Sequence, residues 1–259
     1  MQKILPADLV PLNAFEKEFP ITTHLAYADR AYECNIFKGL YHDGAKIVWA
    51  HKDFTPVILL ASLVCKKRHN WTFELLDCLR PVEAQAAMAV HGYDPIFVAG
   101  PGVGGHPRGM AVDIWPRDEN GISVNMGTCF DFFSESPADY NPSARNHTEF
   151  DCIESERKII LEHRAALETA MVEAGIAVGE KILPLPSEWW DFRLLPEKTN
   201  RFAPLSEVDL EPYQRLIAPD IKVMNEVLHG AYPLTMAVLI DKIADETNAL
   251  FEKNFNYPS

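Results

Sequence analysis

The sequence is short of several things, and each shortage excludes a class. Only five of 259 residues are cysteine, at positions 34, 65, 78, 129 and 152, and no two form a Cys-x-x-Cys pair. That pattern disfavours a disulfide framework or a zinc knuckle and suits free thiols in a reducing compartment. Basic residues are scarce beside acidic ones, 24 against 37, for a formal net charge of -13. Such a surface is unsuited to general nucleic-acid binding or to docking on an anionic membrane. The longest apolar run, Pro56 to Cys65, is too short to cross a bilayer and is expected to be a buried helix. The first residues, Met1 to Asp8, hold one lysine and no apolar stretch of secretory length. Together these features predict a cytoplasmic protein, or a mature form whose leader has been removed. No repeat or low-complexity tract occurs.

What remains is ordinary for a globular chain: 47% hydrophobic and 24% charged residues, enough for one well-filled core. A helix is expected over about 55 to 69. It is followed by a strand over 71 to 77, and then by a helix over 82 to 90 with Pro81 in its first turn and Gly92 closing it. That order puts Arg80 at a strand-to-helix junction. From Val98 to Gly109 five glycines and two prolines predict a loop, after which 110 to 115 resume an apolar run. Apolar residues at three-four spacing make 153 to 176 the main amphipathic helix. A late strand is predicted over 189 to 195, and helices over 207 to 217 and 236 to 255. The fold class is therefore α+β, a single domain with a central antiparallel sheet flanked by helices (residues 1–195) and a helical C-terminal extension packed on it (196–259).

The chemistry concentrates in two short motifs, His106-Pro-Arg-Gly-Met-Ala-Val-Asp113 and Ser187-Glu-Trp-Trp-Asp-Phe192. A catalytic zinc takes three protein ligands and leaves a position for water, and hydrolysis needs a carboxylate to take that water's proton. His106, Asp113, Glu188 and Asp191 supply suitable side chains, although neither spacing identifies zinc on its own. In a regular strand Glu188 and Asp191 would face opposite ways; a bulge, bend or helical turn would align them.

The residues between these positions carry a resemblance. Leu25-Ala-Tyr-Ala-Asp29, Leu76-Asp-Cys-Leu-Arg-Pro81 with Ala84-Gln85, Gly105 to Asp113, Met126-Gly-Thr-Cys-Phe-Asp-Phe-Phe133, an Arg164-containing helix and Glu188-Trp-Trp-Asp-Phe192 occur in the order of one family. Over roughly residues 20 to 195 the chain resembles the D-alanyl-D-alanine dipeptidase branch of the zinc-dependent D-Ala-D-Ala peptidases. The resemblance implies that His106 and Asp113 ligate a metal, Glu188 is the catalytic base and Arg80 steadies the oxyanion. The family's last ligand is a histidine where this chain has Asp191, and its usual serine two positions before the ligand histidine is here Gly104. With Asp191 as the third ligand, one zinc per chain is expected, and the harder donor set also suits manganese or iron.

Asp131 suits a dipeptide's ammonium group, or a turn or helix cap. Arg108 is expected to bind the substrate carboxylate or to pair with Asp113. Arg80 could instead form a structural salt bridge to Asp77 or Glu83. The expected partner is a small D,D-dipeptide, with no nucleic acid, no membrane and an oligomeric state the sequence leaves open. The rival reading is a non-catalytic binder of a cell-wall peptide or other partner, with productive metal binding lost through Asp191 and Gly104.

Overall fold

In the computed structural model, which describes residues 1–134 and 138–255, a five-stranded mixed sheet is backed by helices. Its strands are β2 (Ile21–Thr23), β4 (Thr72–Asp77), β5 (Ala111–Arg117), β6 (Ile182–Pro184) and β7 (Asp191–Leu194), in the order β2-β4-β5-β7-β6. All neighbours are antiparallel except β2, which runs parallel to β4. A second, two-stranded antiparallel sheet joins β1 (Leu9–Pro11) to β3 (Trp49–His51).

The apolar run is indeed a buried helix, α1 (Thr55–His69), with Val57 to Ala61, Val64 and Cys65 all in the core. Fully burying each such aliphatic side chain contributes roughly 1.5–3 kcal/mol. Lys66, Lys67, Arg68 and His69 fill the last turn, where cations complement the carbonyl end of the helix, and Asn70 closes it in the left-handed conformation at φ 59°. α1 contacts β4, α3 (Glu154–Val178) and α6 (Leu234–Phe255). α3 turns Ile160, Leu167, Met171 and Ala174 inward, the predicted stripe, and ends at Gly179 with φ 88°.

The junction after β4 is as expected: α2 (Val82–Ala89) begins just beyond Arg80. The late strand is shorter than predicted, because Trp189 and Trp190 lie in the turn that leads into β7. The C-terminal region carries the short α4 (Pro196–Thr199), then α5 (Ile221–Leu228), which the sequence reading did not predict, and α6. The helix predicted over 207 to 217 is absent; that stretch holds a single 3-10 turn, Glu207–Asp209, followed by loop. Pro212 lacks the amide a helix interior needs. Glu207, buried, instead accepts from the backbone amides of Leu216, Ile217 and Ala218, which fixes the loop without helical bonds.

Among the described residues, no helix is long and apolar enough to cross a membrane.

Candidate active site

Three adjacent strands put three aspartates side by side. Asp113 on β5 is the register partner of Asp77 on β4 and of Asp191 on β7, so all three carboxylates meet on one face of the sheet. A bulge between Leu75 and Asp77 brings Asp77 into that alignment. All three are buried. Like charges in such a row repel, and the cluster stands only because Arg80, His106 and Arg193 are interleaved with it.

His106 reaches the row from the glycine-rich loop, in a 3-10 turn over His106–Arg108. The loop lies close against the sheet: a Cβ on Gly105 would sit 2.8 Å from the Ala111 Cβ and 2.8 Å from the Met110 carbonyl oxygen, so only glycine fits. The two motifs are stitched together by the Arg80 amide, which donates to the His106 carbonyl at 3.0 Å. The Nδ1 of His106 lies 2.8 Å from the Cys78 carbonyl, which fixes Nδ1–H as the donor. Nε2 then faces Asp191 Oδ2 at 3.2 Å and Asp113 Oδ1 at 3.5 Å. Burial and Arg80 disfavour the imidazolium, yet the charge of Asp113 and hydrogen bonds to Asp113 and Asp191 outweigh them and raise its pKa to about 10.

Arg80 is held from several sides. Its Nε donates to Asp77 Oδ2 at 2.8 Å, Nη1 to Gln85 at 3.3 Å, and Nη2 to Asp113 at 3.2 Å and the Tyr27 hydroxyl at 3.4 Å. Asp77 also accepts from the Tyr41 hydroxyl at 2.9 Å. Tyr27 in turn donates to Asp131 Oδ1 at 3.1 Å. Asp131 adopts φ 57°, an uncommon conformation for a non-glycine residue. Its loop is pinned by buried Arg164 of α3, which donates to the carbonyls of Met126, Pro142 and Ala144.

Glu188 and Asp191 are aligned neither by a helix nor within a strand. A tight turn between β6 and β7, closed by bonds from the Glu188 amide to the Leu185 carbonyl and from the Asp191 amide to the Glu188 carbonyl, presents Glu188 beside the row. Burial, reinforced by the charge of Asp191, holds its carboxyl well above the usual range.

These residues line a cavity of about 190 Å³. His106, Asp113, Asp131, Glu188, Asp191 and Arg80 all face it, and Met88, Ile96, Phe97 and Phe133 form an apolar wall, with the Phe97 and Phe133 rings stacked at 5.1 Å. Arg108 does not face it. Its Nε donates to the Phe202 carbonyl, and its Nη1 to the carbonyls of Gly102 and Gly104, so it braces the loop and meets neither Asp113 nor the cavity.

Arg193 is the cavity residue that sequence reasoning passed over. Its Nε donates to Asp191 Oδ1 at 2.8 Å and its Nη2 to Asp191 Oδ2. The signal was available, since residues two apart on a strand share a face. Tyr27 was likewise inside a quoted motif without an assigned role, whereas Asp77 was expected as a possible salt-bridge partner of Arg80 and is one.

The donor set fits a divalent cation. Asp77, His106 and Asp113 are buried and offer ligand atoms all within 4.8 Å of one another, a group that could hold a metal ion. Asp113 Oδ1 is buried and has only the long 3.5 Å contact with His106 Nε2, with no short hydrogen bond. In a native protein such an oxygen calls for a ligand. Asp77 lies on the Nδ1 side of His106, with its oxygens engaged by Arg80 and Tyr41, whereas Asp113 and Asp191 flank Nε2.

No protein-family model matches the chain. The curated D-alanyl-D-alanine dipeptidase of Escherichia coli (strain K12) is 31% identical over 188 residues, which span 72% of this chain and 84% of that protein. With identity sustained over that length, and with the blocks that carry the resemblance meeting at one buried cavity, the chain belongs to the D-alanyl-D-alanine dipeptidase family.

Proposed function

We propose that the protein is a metal-dependent dipeptidase that hydrolyses small D,D-dipeptides such as D-alanyl-D-alanine. One observation carries the reading: Asp131 Oδ2 and Glu188 Oε1, buried without a hydrogen-bond partner, and Asp113 Oδ1, whose contact with His106 Nε2 is a long 3.5 Å, all belong to residues lining the same cavity as His106. A fold maintained for stability alone would pair them.

His106, Asp113 and Asp191 would hold the metal, with zinc the first candidate and manganese or iron suited to the two carboxylates. When bound, the metal supplies a Lewis acid and a more acidic water. Asp77 holds Arg80 in place and shares the Nδ1 side of His106 with the Cys78 carbonyl. Glu188 takes the proton of the attacking water and later delivers it to the leaving amine; its raised pKa suits that exchange. As the amide carbonyl becomes an oxyanion, Arg80 exchanges its long bonds to Gln85 and Tyr27 for that charge while its Nε stays anchored on Asp77. Asp131 Oδ2 accepts the substrate ammonium, and the 190 Å³ cavity limits the substrate to a small one.

A second reading, binding without catalysis, draws on the hold of Arg193 on both Asp191 oxygens, which competes with a metal for them. Glu188→Gln separates the two. The dipeptidase reading expects D-alanyl-D-alanine hydrolysis to fall at least ~100-fold with metal content retained. Absence of hydrolysis in metal-replete wild type, with the dipeptide still bound, would establish the binder instead.

A further inference from the structure

Two guanidinium groups line the cavity, and they differ in what they have left to give. Every nitrogen of Arg80 has a protein acceptor. Arg193 forks onto Asp191 through Nε and Nη2 only, and among the described residues no acceptor takes its Nη1. The fork orients the group: with two of its nitrogens on one carboxylate, the guanidinium plane is set and Nη1 is carried to a definite place. That place is beside Gly104, where the first atom of a side chain would lie 3.2 Å from Nη1. Gly104 itself has φ 86°, which disfavours any side chain there. The two departures from the family pattern, Gly104 and Asp191, thus meet at Arg193: Asp191 holds it, and Gly104 leaves its free nitrogen uncovered. The Arg193 side chain keeps 16% exposure while Asp191 keeps 2%.

We infer that Arg193 is a specificity-determining residue that binds the free α-carboxylate of the substrate through Nη1. The inference rests on the dipeptidase reading above and adds the recognition of one substrate end. The chemistry is complementary. A dipeptide is a zwitterion, and Asp131 Oδ2 offers an open acceptor for its ammonium while Arg193 Nη1 offers an open donor for its carboxylate. Arg108, the other candidate for this role, is outside the cavity and engaged by backbone carbonyls. A planar, permanently charged fork also keeps the carboxylate-binding end charged at any pH the protein meets.

The test is equilibrium binding, by titration calorimetry, of D-alanyl-D-alanine and of D-alanyl-D-alaninamide to Glu188→Gln protein, with and without Arg193→Met. The amide lacks the negative charge and little else. With Arg193 present, the acid should bind at least ~10-fold tighter than the amide, the scale of a hydrogen bond to a charged group, and in Arg193→Met that ratio should fall to about one. Because Arg193→Met takes the guanidinium from Asp191 and leaves it only His106, Arg193→Gln, which keeps an amide donor for that carboxylate, is measured beside it and should lose the preference equally. Preference for the acid persisting in both variants would overturn the inference. So would equal binding of acid and amide with Arg193 present, and that result would leave the dipeptidase reading standing. Failure of both ligands to bind would overturn the D,D-dipeptide reading and this inference with it.

Discussion

Two buried glutamates, one on a strand and one in a turn, behave in opposite ways. Glu74 on β4 would be raised by burial, but hydrogen bonds from His24 and Arg117 bring its pKa below the usual value. Glu188, in the turn before β7, is raised well above it by burial and by Asp191, and Oε1 has no partner. A buried carboxylate with its acceptors occupied serves the fold; one with an oxygen left open is an expense to the fold and available to a ligand. Arginines divide in the same way. Arg108 braces a loop through three carbonyls, while Arg193, which lines the cavity, has among the described residues no acceptor for its Nη1.

Three substitutions probe that division. The largest effect on stability is expected from Arg108→Met, which leaves the carbonyls of Gly102, Gly104 and Phe202 without their donor: a loss of about 2–4 kcal/mol in chemical denaturation, with KM for the dipeptide nearly unchanged in the folded fraction. A rise in KM without lost stability would move Arg108 from the fold to the substrate. Glu74→Gln comes next, at about 1–2 kcal/mol lost near pH 7 after discounting for partial solvent screening. Its pKa is lower in the folded than in the unfolded chain, so the carboxylate's contribution is present above the unfolded value and fades as pH falls through the folded one. Stability curves for wild type and variant should therefore converge in acid.

Glu188→Gln should have the opposite sign. In metal-free protein the folded-state pKa is raised, so above the unfolded value the unfolded chain loses its proton first and wild type is penalised. The glutamine variant should be more stable near pH 7, by an amount on the order of 1 kcal/mol, and the gain should vanish as pH falls toward the usual carboxylate range. A glutamine variant destabilised at pH 7 would show that Glu188 is paired within the fold after all.

How much of this was legible in the sequence depends on which forces shape each part. α3 and α6 followed from apolar spacing, because one face of each is buried; α1 and β4 followed from unbroken apolar content, which matches their continuous burial, and α2 from Pro81 and Gly92 at its ends. The 207–217 stretch misled because its local pattern is helical while the amides at its end, Leu216 and Ile217, bond the side chain of Glu207 at its start and not a carbonyl one turn back. Short β2 was silent, since three residues carry no period. For the candidate site, His106, Asp113, Glu188 and Asp191 stood out by residue type within motifs. The partners that set their chemistry came from strand register: Asp77 opposite Asp113, and Asp113 opposite Asp191. Arg193 was readable from the predicted late strand, which puts it on the same face as Asp191.

The proposed chemistry depends on His106, with Asp113 and Asp191, holding a divalent cation. Elemental analysis counts metal per chain on protein purified under metal-replete conditions and on His106→Ala beside it. The prediction is about one divalent metal per wild-type chain, as a three-ligand hydrolytic site requires, and almost none in His106→Ala. Wild-type protein without stoichiometric metal, or a His106→Ala variant that keeps it, would contradict that chemistry.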